Sequence, residues 1–314
     1  MTAGRRPESD WTVSYFGRVY GEVYRRHLLS PERTRQEAEF AKRVLGLTPG
    51  GRVLDLAAGF GRHARLLARE YWVVALDRNR EYLATARKGL RGAPGRRLAP
   101  VAADMRALPF GAAGFDAVLL LFNSFGYFHA EPCDDTPAAG ISHREVWRLP
   151  RVFYERNLVG ADHGVYRLGA LGRAAEARAG ASASATADPN MIILDGAARV
   201  LRPGGGFLME QPNPRPVLAA VAEHPRRHFS VGRFSVEEEF RYDPARRVLE
   251  NRTVFRGPDI TETAQYRLRL YTRDELVRAL RQRGLRVVAV YGGYDGERYR
   301  AGDSECILVH AVRR

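Results

Sequence analysis

The stretch VLDLAAGFGRHA, residues 53–64, decides how this chain is read. A short apolar strand pattern over 52–56 carries one acid, Asp55, and runs into a loop of small residues at 57–61. Helical spacing begins at Arg62. Small residues at Ala57, Ala58, Gly59 and Gly61 let a ligand come close to the backbone, with the N-terminus of the following helix turned toward it.

Outward from this segment the order strand, loop, helix repeats. A second strand at 72–76 ends at Asp77 and is followed by a helix at 81–90. A third strand begins at 100–103. Residues 115–122 are almost wholly apolar, as expected for a strand buried on both faces. Strands alternating with helices at this spacing predict a parallel sheet with right-handed crossovers. The pattern resumes with a helix at 191–201, a turn at 203–206 and a strand at 207–210. A helix at 273–283 and strands at 287–291 and 306–312 close the chain.

Three regions depart from that rhythm. Residues 129–188 mix Pro, Gly, Ala and scattered charge, with helical character near 144–158 and low complexity toward 188. They read as an insertion after the fourth strand. Residues 229–271 hold alternating segments separated by turns at Asp243-Pro244 and Gly257-Pro258, which predicts an antiparallel β arm. Upstream, aromatic residues at helical spacing over 16–27 and a helix opened by Ser30-Pro31 make residues 1–50 a helical lid. The domain proper then spans 51–314.

Composition excludes several classes. The chain has 314 residues, 45% of them hydrophobic, enough for a sizeable core. Its net charge of +14 invites a nucleic-acid reading. Yet Lys42 and Lys88 are the only lysines among 50 basic residues, and the excess is spread along the chain without a basic tail or block. Nucleic acid is therefore not the expected partner. Two cysteines, Cys133 and Cys306, make no disulfide framework. No apolar stretch follows the N-terminal arginines, and the longest apolar run, near 117–122, falls far short of a membrane span. A cytoplasmic protein is expected.

Loop 57–61 also fits a dinucleotide fingerprint, with Asp77 suitably downstream for a ribose. Asp55 separates the two ligands. A carboxylate beside the glycine loop repels a pyrophosphate and attracts an ammonium group. A cofactor with a cationic amino-acid tail, a ribose and an adenine satisfies the whole set. Asp55 then faces the ammonium, Asp77 the ribose hydroxyls and Asp104 the adenine amine, each at the end of a successive strand.

These segments resemble the class I S-adenosylmethionine-dependent methyltransferases. VLDLAAGFGRHA is similar to the family's first motif, with Ala57 and Ala58 where Gly and Cys are common. ALDRN resembles the segment of the ribose-binding acid, here Asp77 with Arg78 beside it. AADMRALPF resembles the adenine side, Asp104 with Met105. FDAVLLLFNSFGYF resembles the fourth strand and its loop, which brings in Phe122 and Asn123. RVLRPGGGFLME resembles the approach to the fifth strand. The resemblance implies a Rossmann-like α/β fold with a seven-stranded sheet whose last strand is antiparallel. It also implies S-adenosyl-L-methionine as cofactor and direct methyl transfer, for which positioning matters more than acid–base machinery.

On the acceptor side, Tyr127 follows the fourth strand, and Tyr20, with Tyr15 and Tyr24, belongs to the expected lid. His129 is the best-placed candidate base. Glu210 and Asn213 follow the fifth strand within reach of an acceptor. His129, Cys133 and His143 match no zinc spacing, so no metal is expected. The reading that results is methyl transfer to an oxygen or nitrogen of a small molecule, in a biosynthetic setting. The arm would cover the acceptor or form a homodimer contact. The alternatives are an RNA or protein methyltransferase and a non-methylating protein that binds the same cofactor.

Overall fold

The computed structural model describes Gly21, Val23 and residues 29–88, 97–129 and 188–314. Tyr15, Tyr20, Tyr24, Cys133, His143 and the helix expected at 144–158 lie outside the described residues.

Helix α1 (Pro31–Leu45) starts where the sequence predicts. The Ser30 side chain accepts from the Arg33 N–H at 3.0 Å, Pro31 occupies the first turn, and Gly46 closes the helix in the left-handed region. Next come β1 (Arg52–Leu56), α2 (Arg62–Leu67), β2 (Trp72–Asp77), α3 (Arg80–Lys88), β3 (Leu98–Ala102) and β4 (Phe115–Leu120). Beyond the insertion, α4 (Met191–Val200) leads directly into β5 (Leu201–Pro212). The turn expected at 203–206 is instead an irregularity within one long strand. The β4–β5 register jumps from Phe115 opposite Leu201 to Ala117 opposite Gly206, so the extra residues bulge out while pairing continues.

Helix α5 (Pro214–Glu223) is not among the elements read from the sequence; it opens with Pro214 and Pro216. Both fit the first turn, where no intrahelical N–H bond is lost. The arm has four strands, not three: β6 (Arg226–Val231), β7 (Phe234–Asp243), β8 (Val248–Gly257) and β9 (Ile260–Arg269). β6 is the largely exposed edge, so burial imposes no alternation on its sequence. Helix α6 (Arg273–Gln282), β10 (Leu285–Tyr291) and β11 (Cys306–Arg313) complete the chain.

The seven-stranded sheet has the order β10-β11-β5-β4-β1-β2-β3. β11 runs antiparallel to both its neighbours, and the remaining pairs are parallel. Apolar clusters cover both faces, one around Leu54, Val118 and Phe207, the other around Val53, Leu119 and Leu208. Strand order reverses between β1 and β4. Ligands of open α/β sheets bind at such a point, beyond the carboxyl ends of the strands.

Candidate active site

The glycine loop leaves β1 through Ala57, whose φ of 53° is strained for a residue with a Cβ. Gly61 also has positive φ, and a Cβ there would come within 2.6 Å of the Ala86 Cβ on α3. Glycine at 61 thus lets two helices pack closely beside the loop.

Asp77 fixes the loop from β2. Its Oδ2 accepts from the Gly59 N–H at 2.7 Å and its Oδ1 from the Asn79 N–H at 2.8 Å. Burial raises the Asp77 pKa, and these backbone donors oppose the rise. Asp55 is 2% exposed, and its Oδ2 has no hydrogen-bond partner among the described residues. Burial pushes its pKa up to about 7, with the Arg62 charge pulling the other way. Asp104, on the third acidic position, is held by Arg106: Nη2 to Oδ2 at 2.8 Å and Nε to Oδ1 at 3.1 Å. Arg78 Nε lies 3.8 Å from the same carboxylate. Arg106 in turn stacks 4.1 Å from the centroid of Phe128, and Met105 packs against the core. The acid at this position is therefore charge-paired within the protein, a feature the sequence reading did not include.

The loop after β4 carries two successive non-glycine residues at positive φ, Phe122 (57°) and Asn123 (55°). Such strain persists only where the surroundings over-determine it. Glu210 Oε2 accepts from the Phe122 N–H at 2.6 Å, and Gln211 Nε2 donates to the Phe125 carbonyl at 3.0 Å. The Arg269 N–H donates to the Gly126 carbonyl at 2.8 Å. Asn190 pairs with both backbone groups of Phe128, at 3.1 and 2.7 Å. His129 Nε2 contacts the Arg267 carbonyl at 3.1 Å, so that ring nitrogen carries the proton. Asn123 Oδ1 is buried without a partner among the described residues.

Two expected acceptor contacts take other roles. Asn213 is fully buried; its Nδ2 donates to the carbonyls of Ala301 and Ser304, and its Oδ1 accepts from the Tyr299 hydroxyl at 3.0 Å. Its amide pins the 299–304 loop, with both N–H donors and one oxygen lone pair spent on it. Glu210 is buried as well, and its Oε2 also accepts from the Tyr294 hydroxyl at 2.6 Å. It holds the β4 loop. Both were read from strand-end position alone, which does not reveal side-chain partners.

A buried charge cluster escaped the sequence reading. Glu37, on α1, accepts from His63 Nε2 at 2.7 Å, from Arg33 Nε at 3.0 Å and from Arg62 Nη1. Burial would raise Glu37, yet the hydrogen bonds from His63 and Arg62, with the Arg62 charge, bring it down to about 2. Burial pushes His63 the other way, toward the neutral ring that donates to Glu37. The available signal was a carboxylate on the apolar face of α1, between Thr34 and Ala41.

The arm roofs this edge of the sheet. Tyr127 meets Tyr266 of β9 edge-on at 6.0 Å, and Val23 joins Val236 and Phe255 in the apolar cluster on the arm's inner face. Gly21 passes so close to the glycine loop that a Cβ would lie 2.9 Å from Phe60 and 3.1 Å from Tyr82. At the centre of the inner face, Asn251 and Thr253 are buried polar residues. The Thr253 hydroxyl donates to Asn251 Oδ1 at 2.7 Å, and Asn251 Nδ2 is unpaired among the described residues.

With this geometry in view, residues 53–138 match a family described as "Methyltransferase domain". That match, on this fold, points to the class I S-adenosylmethionine-dependent methyltransferases, whose sheet this chain shares. Among curated proteins, none matches the chain. Its fold is similar to the CcbJ methyltransferase of Streptomyces caelestis, at 17% identity over 96% of this chain and 99% of that one, with a TM-score of 0.64. It is also similar to CalS10, an amino pentose methyltransferase of Micromonospora echinaspora involved in calicheamicin biosynthesis and solved with S-adenosylmethionine bound. There the identity is 17% over 95% and 98% of the two chains, with a TM-score of 0.54. The sugar N-methyltransferase KedS8 of Streptoalloteichus matches at 15% identity over 100% and 99%, with a TM-score of 0.54. At these identities the likeness establishes the fold.

Proposed function

We propose that this methyltransferase acts on an oxygen or nitrogen of a small molecule in a biosynthetic pathway. The observation that carries the reading is the arm. Its inner face, apolar at both ends and polar at Asn251 and Thr253, meets the β4 loop at Tyr127. A roof of this kind suits a compact polar acceptor better than a nucleic-acid or protein chain. The CalS10 and KedS8 proteins, which share the fold, are named for sugar substrates. No large one-sign block of charge favours RNA.

In this reading Asp55 Oδ2 and Asn123 Oδ1, both buried acceptors without a partner among the described residues, receive the ammonium of the cofactor's tail. Asp77 accepts from the ribose with the lone pairs its backbone donors leave over. Asp104 receives the adenine amine from within its Arg106 pair. Loop residues Ala57, Gly59 and Gly61 give the close approach. When bound, the cofactor supplies an electrophilic methyl group; the protein's task is to hold donor and acceptor in line and dry. Tyr127 contributes to the acceptor wall. His129 is the base candidate. Residues 1–50 act as a lid at the Gly21 crossing, and the exposed β6 edge offers a homodimer contact.

Calorimetric titration with S-adenosylhomocysteine tests the cofactor half: one saturable site, weakened at least tenfold in Asp55→Asn and Asp77→Asn. Absence of binding to the wild-type protein sinks it. For the acceptor, label from methyl-labelled cofactor should enter amino or hydroxylated sugars and not RNA or protein. Labelled RNA, with steeply salt-dependent binding, would favour the alternative.

A further inference from the structure

We infer that Arg62 holds the carboxylate of the cofactor's amino-acid tail. The inference rests on the placement of that tail at Asp55 given above. Arg62 is the first residue of α2, and its side chain is only 12% exposed. Nη1 is used by Glu37 and by the Thr34 hydroxyl, at 3.2 Å for the latter. Nη2 is buried and has no partner among the described residues. A buried guanidinium donor is rarely left so, because the lost hydration goes unreplaced.

Three observations say where this donor points. The guanidinium lies over the ring of Phe122, 5.0 Å from its centroid, and so sits at the β4 loop beside Asn123. Its charge acts on Asp55. Asp55 and β4 are paired neighbours in the sheet, Asp55 opposite Leu119. Two orphaned acceptors and one orphaned donor therefore lie on the elements that meet at the sheet's switch point. An α-amino acid group carries three ammonium donors and two carboxylate acceptors on one carbon, and it meets that arrangement with opposite sign at each position.

Glu37 is shared by two guanidiniums, Arg62 and Arg33, and Arg33 also pairs with Glu305 at 3.1 Å. The same pairing holds Arg62 on one edge of its fork and presents the other, a division lysine could not make.

The experiment compares two ligands and two proteins by calorimetry. S-adenosylmethionine has the carboxylate; its decarboxylated form keeps the sulfonium, ribose, adenine and ammonium. The wild type should prefer the first by about 10–100-fold, the range for a charge-assisted hydrogen-bond pair. Arg62→Met should bind both alike, at the affinity the wild type shows for the decarboxylated ligand. Arg62→Lys should recover part of the preference. Unchanged affinity of Arg62→Met for S-adenosylmethionine overturns the inference. So does an equal loss for both ligands, which would mark Arg62 as structural only. Failure of the wild type to bind either ligand instead removes the cofactor placement on which the inference stands.

Discussion

The carboxylate of Glu210, on β5, accepts the backbone N–H of Phe122 at 2.6 Å, across 88 residues of sequence. It thereby holds in place a loop whose backbone is strained at two successive residues. The Tyr294 hydroxyl reaches the same oxygen, so one buried acceptor serves two donors. Glu210→Ala leaves both unpaired and should cost about 2–6 kcal/mol, at 1–3 kcal/mol for each buried group. Glu210→Gln keeps an acceptor oxygen and should cost less than half as much. Urea denaturation of the three proteins measures the difference; equal losses in both variants would show that the N–H of Phe122 is satisfied elsewhere.

Gly126 is where the loop touches the arm. Its φ is 102°, and a Cβ would fall 2.6 Å from the Arg269 carbonyl, a contact no side-chain rotation relieves. Gly126→Ala should therefore destabilise by about 2–4 kcal/mol, combining backbone strain with the clash. It should also widen the gap between Tyr127 and Tyr266, raising the KM for acceptor more than the affinity for S-adenosylhomocysteine falls. Parallel loss of both would place the damage in the cofactor site.

What could be read from the sequence was local in the chain. The apolar run of β4 and the acids closing β1, β2 and β3 declare themselves through neighbours a few residues away. Asp55, Asp77 and Asp104 thus stood out, and the sheet with them. The roles of Glu37, Glu210 and Asn213 depend on partners 25 to 91 residues distant, and neither period nor composition encodes those. Exposed β6 lacks alternation because only one of its six residues is fully buried. Helix α5 opens with two prolines, which a first turn tolerates.

Asn190 closes the neck of the insertion. Its side-chain amide pairs with the N–H and C=O of Phe128, acting as a short piece of strand between the residues that flank the excursion. Beside it, Asp188 Oδ2 takes Arg269 Nη1 at 2.6 Å and the Tyr271 hydroxyl at 2.7 Å. Asn190→Ala should destabilise by about 2–4 kcal/mol, one buried donor and one acceptor being left open. Asn190→Asp keeps the acceptor for the Phe128 N–H but sets a carboxylate against its C=O, so it should fare no better. Thermal melts read the effect, and a shift below 1 °C in both variants would show that the neck is held by other contacts.

The last prediction concerns Asp55 and pH. Burial raises its folded-state pKa to about 7, against an ordinary value of 3.8. The folded protein therefore binds this proton where the unfolded chain has released it. The stabilisation is complete below about pH 4 and is lost as pH rises through 7. Asp55→Asn, which cannot titrate, should flatten that decline between pH 4 and 7. An ammonium set against Asp55 favours the ionised form and lowers the pKa. Binding of S-adenosylhomocysteine at pH 6 should then release close to one proton, and at pH 8.5 almost none. Calorimetry in buffers of different ionisation enthalpy reads this directly: the apparent enthalpy should vary with buffer at pH 6 in the wild type and much less in Asp55→Asn. A buffer-independent enthalpy at pH 6 in the wild type would mean that the ammonium of the ligand lies away from Asp55.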